Sequence, residues 1–256
     1  MTTKHRPRPR PRPRPIRVVP LHPPPARAAA PAAPKLTYRG GPLLTAVQAV
    51  GVFWGAAWQQ PPQATIAQQL EQFLKFVVAS SYMDQLAEYG TADKKIGRGS
   101  FVASATVTDA PLSPQVTDAA IQQMLEQHVT SKALPAPGAN TLYVVFLPPG
   151  VTVVSGNERS CQVFCGYHDR SSAAGLYYAV VPSPDCAGCL GGLQAIAALT
   201  SVCSHELAEA VTDPVPGTGW YDDANGEIGD ICAWQNKQLG GYTVQLEWSN
   251  RTNSCM

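Results

Sequence analysis

The sequence predicts one α/β domain, in the wider α+β sense and with a mixed sheet, running from about residue 41 to residue 256. Three observations carry this. Strand-like and helix-like segments interleave through that stretch with no repeat and no internal linker. Hydrophobic residues make up 45% of the chain against 14% charged, enough for a real core. Residues 1–40 are of another kind, with ten Lys or Arg, no acid and the run RPRPRPRPRP. Alternating proline favours extended chain without internal hydrogen bonds, so residues 1–40 are predicted to form a disordered arm.

The elements follow in order. Leu43–Trp54 alternates as a buried strand. After Pro61 and Pro62, Thr65 and Gln68 form a candidate capping box for a helix carrying Ile66, Leu70, Phe73, Leu74, Val77 and Val78 at helical spacing. The segment YMDQLAEYG extends or follows that helix to Gly90. Ser100–Thr108 alternates as a strand, and Thr117 is placed to cap a helix through His128. Leu142–Leu147 and Leu176–Val181 are short apolar runs of the kind that fill a central sheet. From Gly192 a long apolar helix runs through Leu199, Val202, Leu207 and Val211 until Asp213–Pro214 stops it. Tyr242–Trp248 is the last clear strand.

Charge divides the chain as sharply as pattern does. Of 19 basic residues nine lie beyond residue 40, where they face all 18 acids, so a basic arm is joined to a body of about −9. Such an arm suits an anionic polymer, although its Arg-Pro and Pro-Ala tracts hold no Phe, Trp or Tyr to stack on bases. Prolines interrupt the apolar stretch Ile16–Leu21, so no ordinary signal-peptide core is visible. No run reaches the apolar length of a transmembrane helix. The seven cysteines fall as Cys161/Cys165, Cys186/Cys189, Cys203, Cys232 and Cys255. That suits an oxidised framework with Cys203 as the free thiol, and its rival is a zinc ribbon built on the two short pairs.

Chemistry concentrates near the end of the long helix, in Ser204-His205-Glu206-Leu207-Ala208-Glu209. Residues four apart share a helix face, so His205 and Glu209 can reach one ion. Glu206, about 100° round, can meet a water beside that ion without binding the ion itself. This is the logic of H-E-x-x-H with a carboxylate in place of the second histidine, a zincin-like arrangement. A third ligand has to come from elsewhere. The segment WYDDANGEIGDIC carries four acids between Asp222 and Asp230, with Asp230 and Glu227 as candidates and Asp213 behind them. Calcium competes with zinc, because Asp222, Asp223, Asn225 and Glu227 offer hard oxygens. His168–Asp169 reads as a polar loop, and Cys203 and His205, two apart on a helix, diverge.

GPLL followed by GVFWGAAW, then CQVFCGYHD, YYAVVPSPDCAGC, SHELAEAVTDP, WYDDANGEIGDIC and SNRTNSC occur in one order. That order resembles the phosphate-induced protein family, the EXORDIUM-like proteins of plants, over residues 41–256. The resemblance implies an extracellular, cell-wall-associated protein and disulfides rather than a ribbon. It implies pairing of Cys161 with Cys165 and of Cys186 with Cys189. With spacing, it also pairs Cys232 with Cys255.

The expectation is therefore a secreted, single zincin-like domain acting as a metal-dependent peptidase on protein or peptide substrates. His205, Glu209 and Asp230 or Glu227 hold zinc, and Glu206 is the general base. The alternative is a non-catalytic cell-wall or polysaccharide-binding protein whose metal is structural.

Overall fold

A computed structural model describes residues 18–22 and 33–256. The mixed α/β fold centres on a six-stranded sheet with spatial order Val18–Pro20, Phe164–Arg170, Tyr177–Pro182, Thr141–Leu147, Gln48–Trp54 and Ser100–Val107. Neighbours run parallel except at Phe164–Arg170, which is antiparallel to the strands on both sides.

The central strand Thr141–Leu147 is buried at every position, as its unbroken apolar run requires. Its Leu142, Val144 and Phe146 face a core shared with the helices Gln63–Val77 and Ala195–Thr212. Tyr143, Val145 and Leu147 face a second core with the helix Asp118–Thr130. Thr117 caps that last helix as expected, its side chain accepting from the Ala120 N–H. The expected capping box at Thr65 and Gln68 does not form. Gln63–Val77 begins two residues before Thr65, directly behind Pro62, whose ring suits a helix entry.

The long helix Ala195–Thr212 is buried at each residue from Ala198 to Thr212. It packs against the sheet on one side and the strand Tyr242–Gln245 on the other, so an apolar surface all round is what its place demands. No helix among the described residues is long and apolar enough to cross a membrane.

Two expectations are corrected here. The arm is not disordered throughout, because residues 18–22 and 33–40 are built into the fold. Val18–Pro20 forms the edge strand, with Val19 buried and Pro20 accepting from Trp234 Nε1 at 2.7 Å. Leu36 is buried, and Thr37–Tyr38 pairs with Trp220–Tyr221. The cause is apolar: Val19, Leu21, Leu36 and Tyr38 bury against the body despite the prolines around them. The Arg-Pro run, and with it the proposed anionic-polymer contact, lies outside the described residues.

The cysteine pairing differs as well. The bonds are Cys161–Cys186, Cys165–Cys189 and Cys232–Cys255, with Cys203 free and buried. Cys186 and Cys189 lie three apart at the short helix Ala187–Leu190, so both sulfurs face one way. They meet Cys161 and Cys165, at the start of the strand Phe164–Arg170, rather than each other. The four sulfurs are thereby cross-linked and form no zinc ribbon. The bonds close separations of 25, 24 and 23 residues, and each contributes about 3 kcal/mol by restricting the unfolded chain.

Candidate metal centre

His205 and Glu209 sit one turn apart on Ala195–Thr212, both wholly buried, with His205 Nε2 2.9 Å from Glu209 Oε1. The third member arrives on the short helix Ile228–Ile231, inside the acid-rich segment. Its approach depends on a glycine: a Cβ at Gly229 would lie 2.8 Å from the His205 ring, so only glycine lets the turn lie flat against the imidazole. Asp230 then donates its backbone N–H to Glu209 Oε1 at 3.1 Å, and its own Oδ1 comes 4.0 Å from His205 Nε2. Its Oδ2 accepts from the Glu227 N–H at 2.9 Å, which fixes the carboxylate. Ligand atoms of His205, Glu209 and Asp230 all lie within 4.8 Å of one another.

Glu227 does not join that group. It is turned to the other side, with Oε1 3.5 Å from His168 Nε2. Asp213 is not aimed at the centre either. Its carboxylate accepts from the N–H groups of Gly217, Thr218 and Gly219 at 2.6–3.1 Å, which shapes the loop after the helix. The calcium loop is not assembled. Asp222 accepts from the N–H groups of Lys35, Ala224 and Asn225, and Asp223 is exposed and paired with Arg39.

His168 joins the same buried cluster, and the sequence reading missed it. Its expected polar loop is a strand, and its side chain is buried to 1% exposure. Nδ1 lies 3.1 Å from Glu206 Oε2 and 3.5 Å from Glu209 Oε2, while Nε2 lies 3.1 Å from the Asp213 carbonyl oxygen. Strand periodicity puts Gly166 on the same face as His168. A Cβ at Gly166 would lie 2.6 Å from Val202 and 3.1 Å from Glu206 Oε1. That glycine admits the helix close enough for Glu206 to reach the histidine. A glycine two residues before a histidine, in a segment followed by the strand YYAVVP, is the local signal that could have found it.

The electrostatics of this centre are unusual. Glu206, Glu209, Glu227 and Asp230 converge with two imidazoles, and among the described residues no Lys or Arg pairs with any of the four carboxylates. Burial pushes Glu227 and Asp230 well above the usual carboxylate range and raises Glu206. Burial acts on Glu209 in the same sense, but the rings of His205 and His168 beside it win and hold it low. For the two histidines burial works downward, and the surrounding carboxylates overturn it, holding both well above the ordinary imidazole value.

Among the described residues Glu206 Oε1, Glu209 Oε2, Asp230 Oδ1 and His205 Nδ1 have no hydrogen-bond partner. Each buried, unsatisfied polar atom costs about 1–3 kcal/mol. Those of Glu206, Glu209 and Asp230 belong to one buried cluster, which a cation would satisfy. The donor set is one or two imidazoles with carboxylates. It fits zinc or a similar transition ion better than calcium, which takes six to eight oxygens.

No protein-family model, curated protein or solved structure matches the chain.

Proposed function

We propose that this chain is a secreted, metal-dependent hydrolase of the zincin-like type that cleaves peptide bonds. The observation that carries the reading is the convergence of unpartnered, buried atoms of His205, Glu209 and Asp230 beside Glu206. In this reading those three residues hold a divalent ion, zinc by its donor chemistry. When bound, such an ion supplies Lewis acidity toward a carbonyl oxygen and makes a neighbouring water more acidic.

The chain's own groups do the rest. His168 Nδ1 fixes Glu206 through Oε2, which leaves Oε1 free to take a proton from the attacking water and pass it to the leaving amine. Asp230 keeps its orientation through the Glu227 N–H, and Glu209 through the Asp230 N–H. These outer contacts fix the ligands before an ion arrives. Three disulfides suit an oxidising, extracellular compartment. The resemblance to the EXORDIUM-like proteins supports the same location.

A second reading is favoured by one specific observation: His205, Glu206 and Glu209 have no exposed surface. A closed centre of that kind suits a structural metal in a non-catalytic cell-wall or polysaccharide-binding protein. Turnover separates the two. Wild type and Glu206→Gln are compared for metal content and for digestion of a peptide library, with and without chelator. The hydrolase reading predicts that Glu206→Gln keeps the ion at His205, Glu209 and Asp230 and loses at least about 100-fold in rate. Absence of chelator-sensitive cleavage by wild type on every substrate would replace it with the structural reading.

A further inference from the structure

We infer that the centre has a second cation position, formed by His168 Nδ1, Glu206 Oε2 and Glu209 Oε2, and that Glu209 bridges the two ions. The inference rests on the reading of His205, Glu209 and Asp230 as the first position.

The argument starts from His168. Its Nε2 faces the Asp213 carbonyl oxygen at 3.1 Å, and a carbonyl can only accept. Nε2 therefore donates to that carbonyl, which leaves Nδ1 as the ring atom turned toward the carboxylates. Nδ1 faces Glu206 Oε2 at 3.1 Å and Glu209 Oε2 at 3.5 Å. Ligand atoms of these three residues lie within 4.8 Å of one another, with all three side chains buried. A proton shared between His168 and Glu206 would satisfy those two alone. Glu209 Oε2 would still be without a hydrogen-bond partner among the described residues. A ring nitrogen donating to a backbone carbonyl while its other nitrogen stays free is also how ligating histidines are held.

Glu209 ties this position to the first. Its Oε1 is turned toward His205 and the Asp230 N–H, and its Oε2 toward His168. One carboxylate with its two oxygens aimed at two ligand groups is the arrangement of two-metal hydrolytic centres, in which the ions sit about 3.5–4 Å apart. Charge agrees. Ionised by a bound cation, Glu206, Glu209 and Asp230 carry three negative charges, one more than a single divalent ion neutralises, and among the described residues no Lys or Arg pairs with them. Glu206 Oε1 remains free for a proton, so the second position does not displace the role given to that residue.

The test is metal stoichiometry on the full chain. Chelator-stripped protein is dialysed against Mn(II), and bound metal is counted by mass spectrometry and by the paramagnetic resonance spectrum. The inference predicts about two Mn(II) per chain in wild type, with the spin-coupled spectrum of neighbouring ions. His168→Gln should bind one. Glu206→Gln, which keeps the side-chain shape, should weaken the second equivalent by about tenfold or more while sparing the first. One uncoupled ion in wild type, lost in His205→Ala but kept in His168→Gln, would overturn the second position and leave the first intact. Loss of all metal in His168→Gln, with the fold retained, would likewise overturn it, since that describes a single shared site. No binding of any ion by wild type would instead remove the reading on which the inference rests.

Discussion

Asp213 and Asp230 mark the two turns that meet around the end of the site helix, and their carboxylates have opposite fates. Asp213 receives three backbone N–H groups, from Gly217, Thr218 and Gly219. Asp230 receives one, from Glu227, and its Oδ1 is left facing His205 with no hydrogen bond. Both acids are largely withdrawn from water, and burial raises the pKa of each. The difference lies in what the local backbone offers. At Asp213 glycines at 217 and 219 bring their N–H groups inward, and a Cβ at Gly219 would strike the Thr212 carbonyl. A carboxylate saturated by its own loop holds that loop. One denied such partners by its turn is left to hold something else.

Exchanging charge for amide at the two positions should separate these roles most strongly. Asp230→Asn removes a charge from the unpartnered set and should weaken metal retention at least about 100-fold, with little change in the metal-free melting curve. Asp213→Asn should leave metal at the first position and instead lower stability by about 2 kcal/mol, because an amide N–H₂ must face one of the inward N–H groups. A calorimetric scan with and without chelator reads both. Equal metal loss in the two variants would erase the distinction.

The staple behind His168 sharpens the comparison. Cys165 and Cys189 hold the start of the strand that carries this histidine, and the paired change Cys165→Ala with Cys189→Ala should cost about 3 kcal/mol in chemical denaturation. The edge strand comes next. Removing residues 1–22 uncovers the Phe164–Arg170 edge and the groove that buries Val19, which should cost about 2 kcal/mol. An unchanged melting temperature would restore the arm as a separable appendage.

The smallest effect tests a saturated carboxylate far from the centre. Lys75 and Ser104 hold Glu71 below its usual pKa, with burial opposing weakly. A depressed carboxylate adds stability above its unfolded pKa and loses it as pH falls through its folded value. Glu71→Gln should therefore cost at most about 0.5 kcal/mol at pH 7 for this half-exposed pair. Wild type and variant should converge in acid; a gap that widens in acid would contradict the assignment.

How much of this was legible in the sequence depended on where the partners sat along the chain. His205, Glu206 and Glu209 are legible because a helix converts their spacing directly into shared and adjacent faces. Asp230 was one of two equal candidates, since choosing it over Glu227 depends on how Gly229 lets the turn lie against the His205 ring. His168 was hidden because a single histidine on a strand has no internal spacing to reveal it. Its partners are 38 and 41 residues away in sequence. The cysteine pairing failed for a related reason. The family resemblance implied local bonds, whereas the two short Cys pairs belong to different elements that the fold lays side by side. The strands and helices of the core were read more easily, as alternation and helical periodicity are properties of each segment alone.

The central claim is that the unpartnered atoms of His205, Glu209 and Asp230 exist to hold a divalent ion. An anomalous-difference map from crystals grown with zinc, collected on both sides of the zinc absorption edge, tests it most directly. The account predicts a strong peak enclosed by His205 Nε2, the Glu209 carboxylate and Asp230 Oδ1. It would be contradicted by a map with no peak there, in which Asp230 Oδ1 and Glu209 Oε2 are satisfied by ordered water or by protein N–H groups.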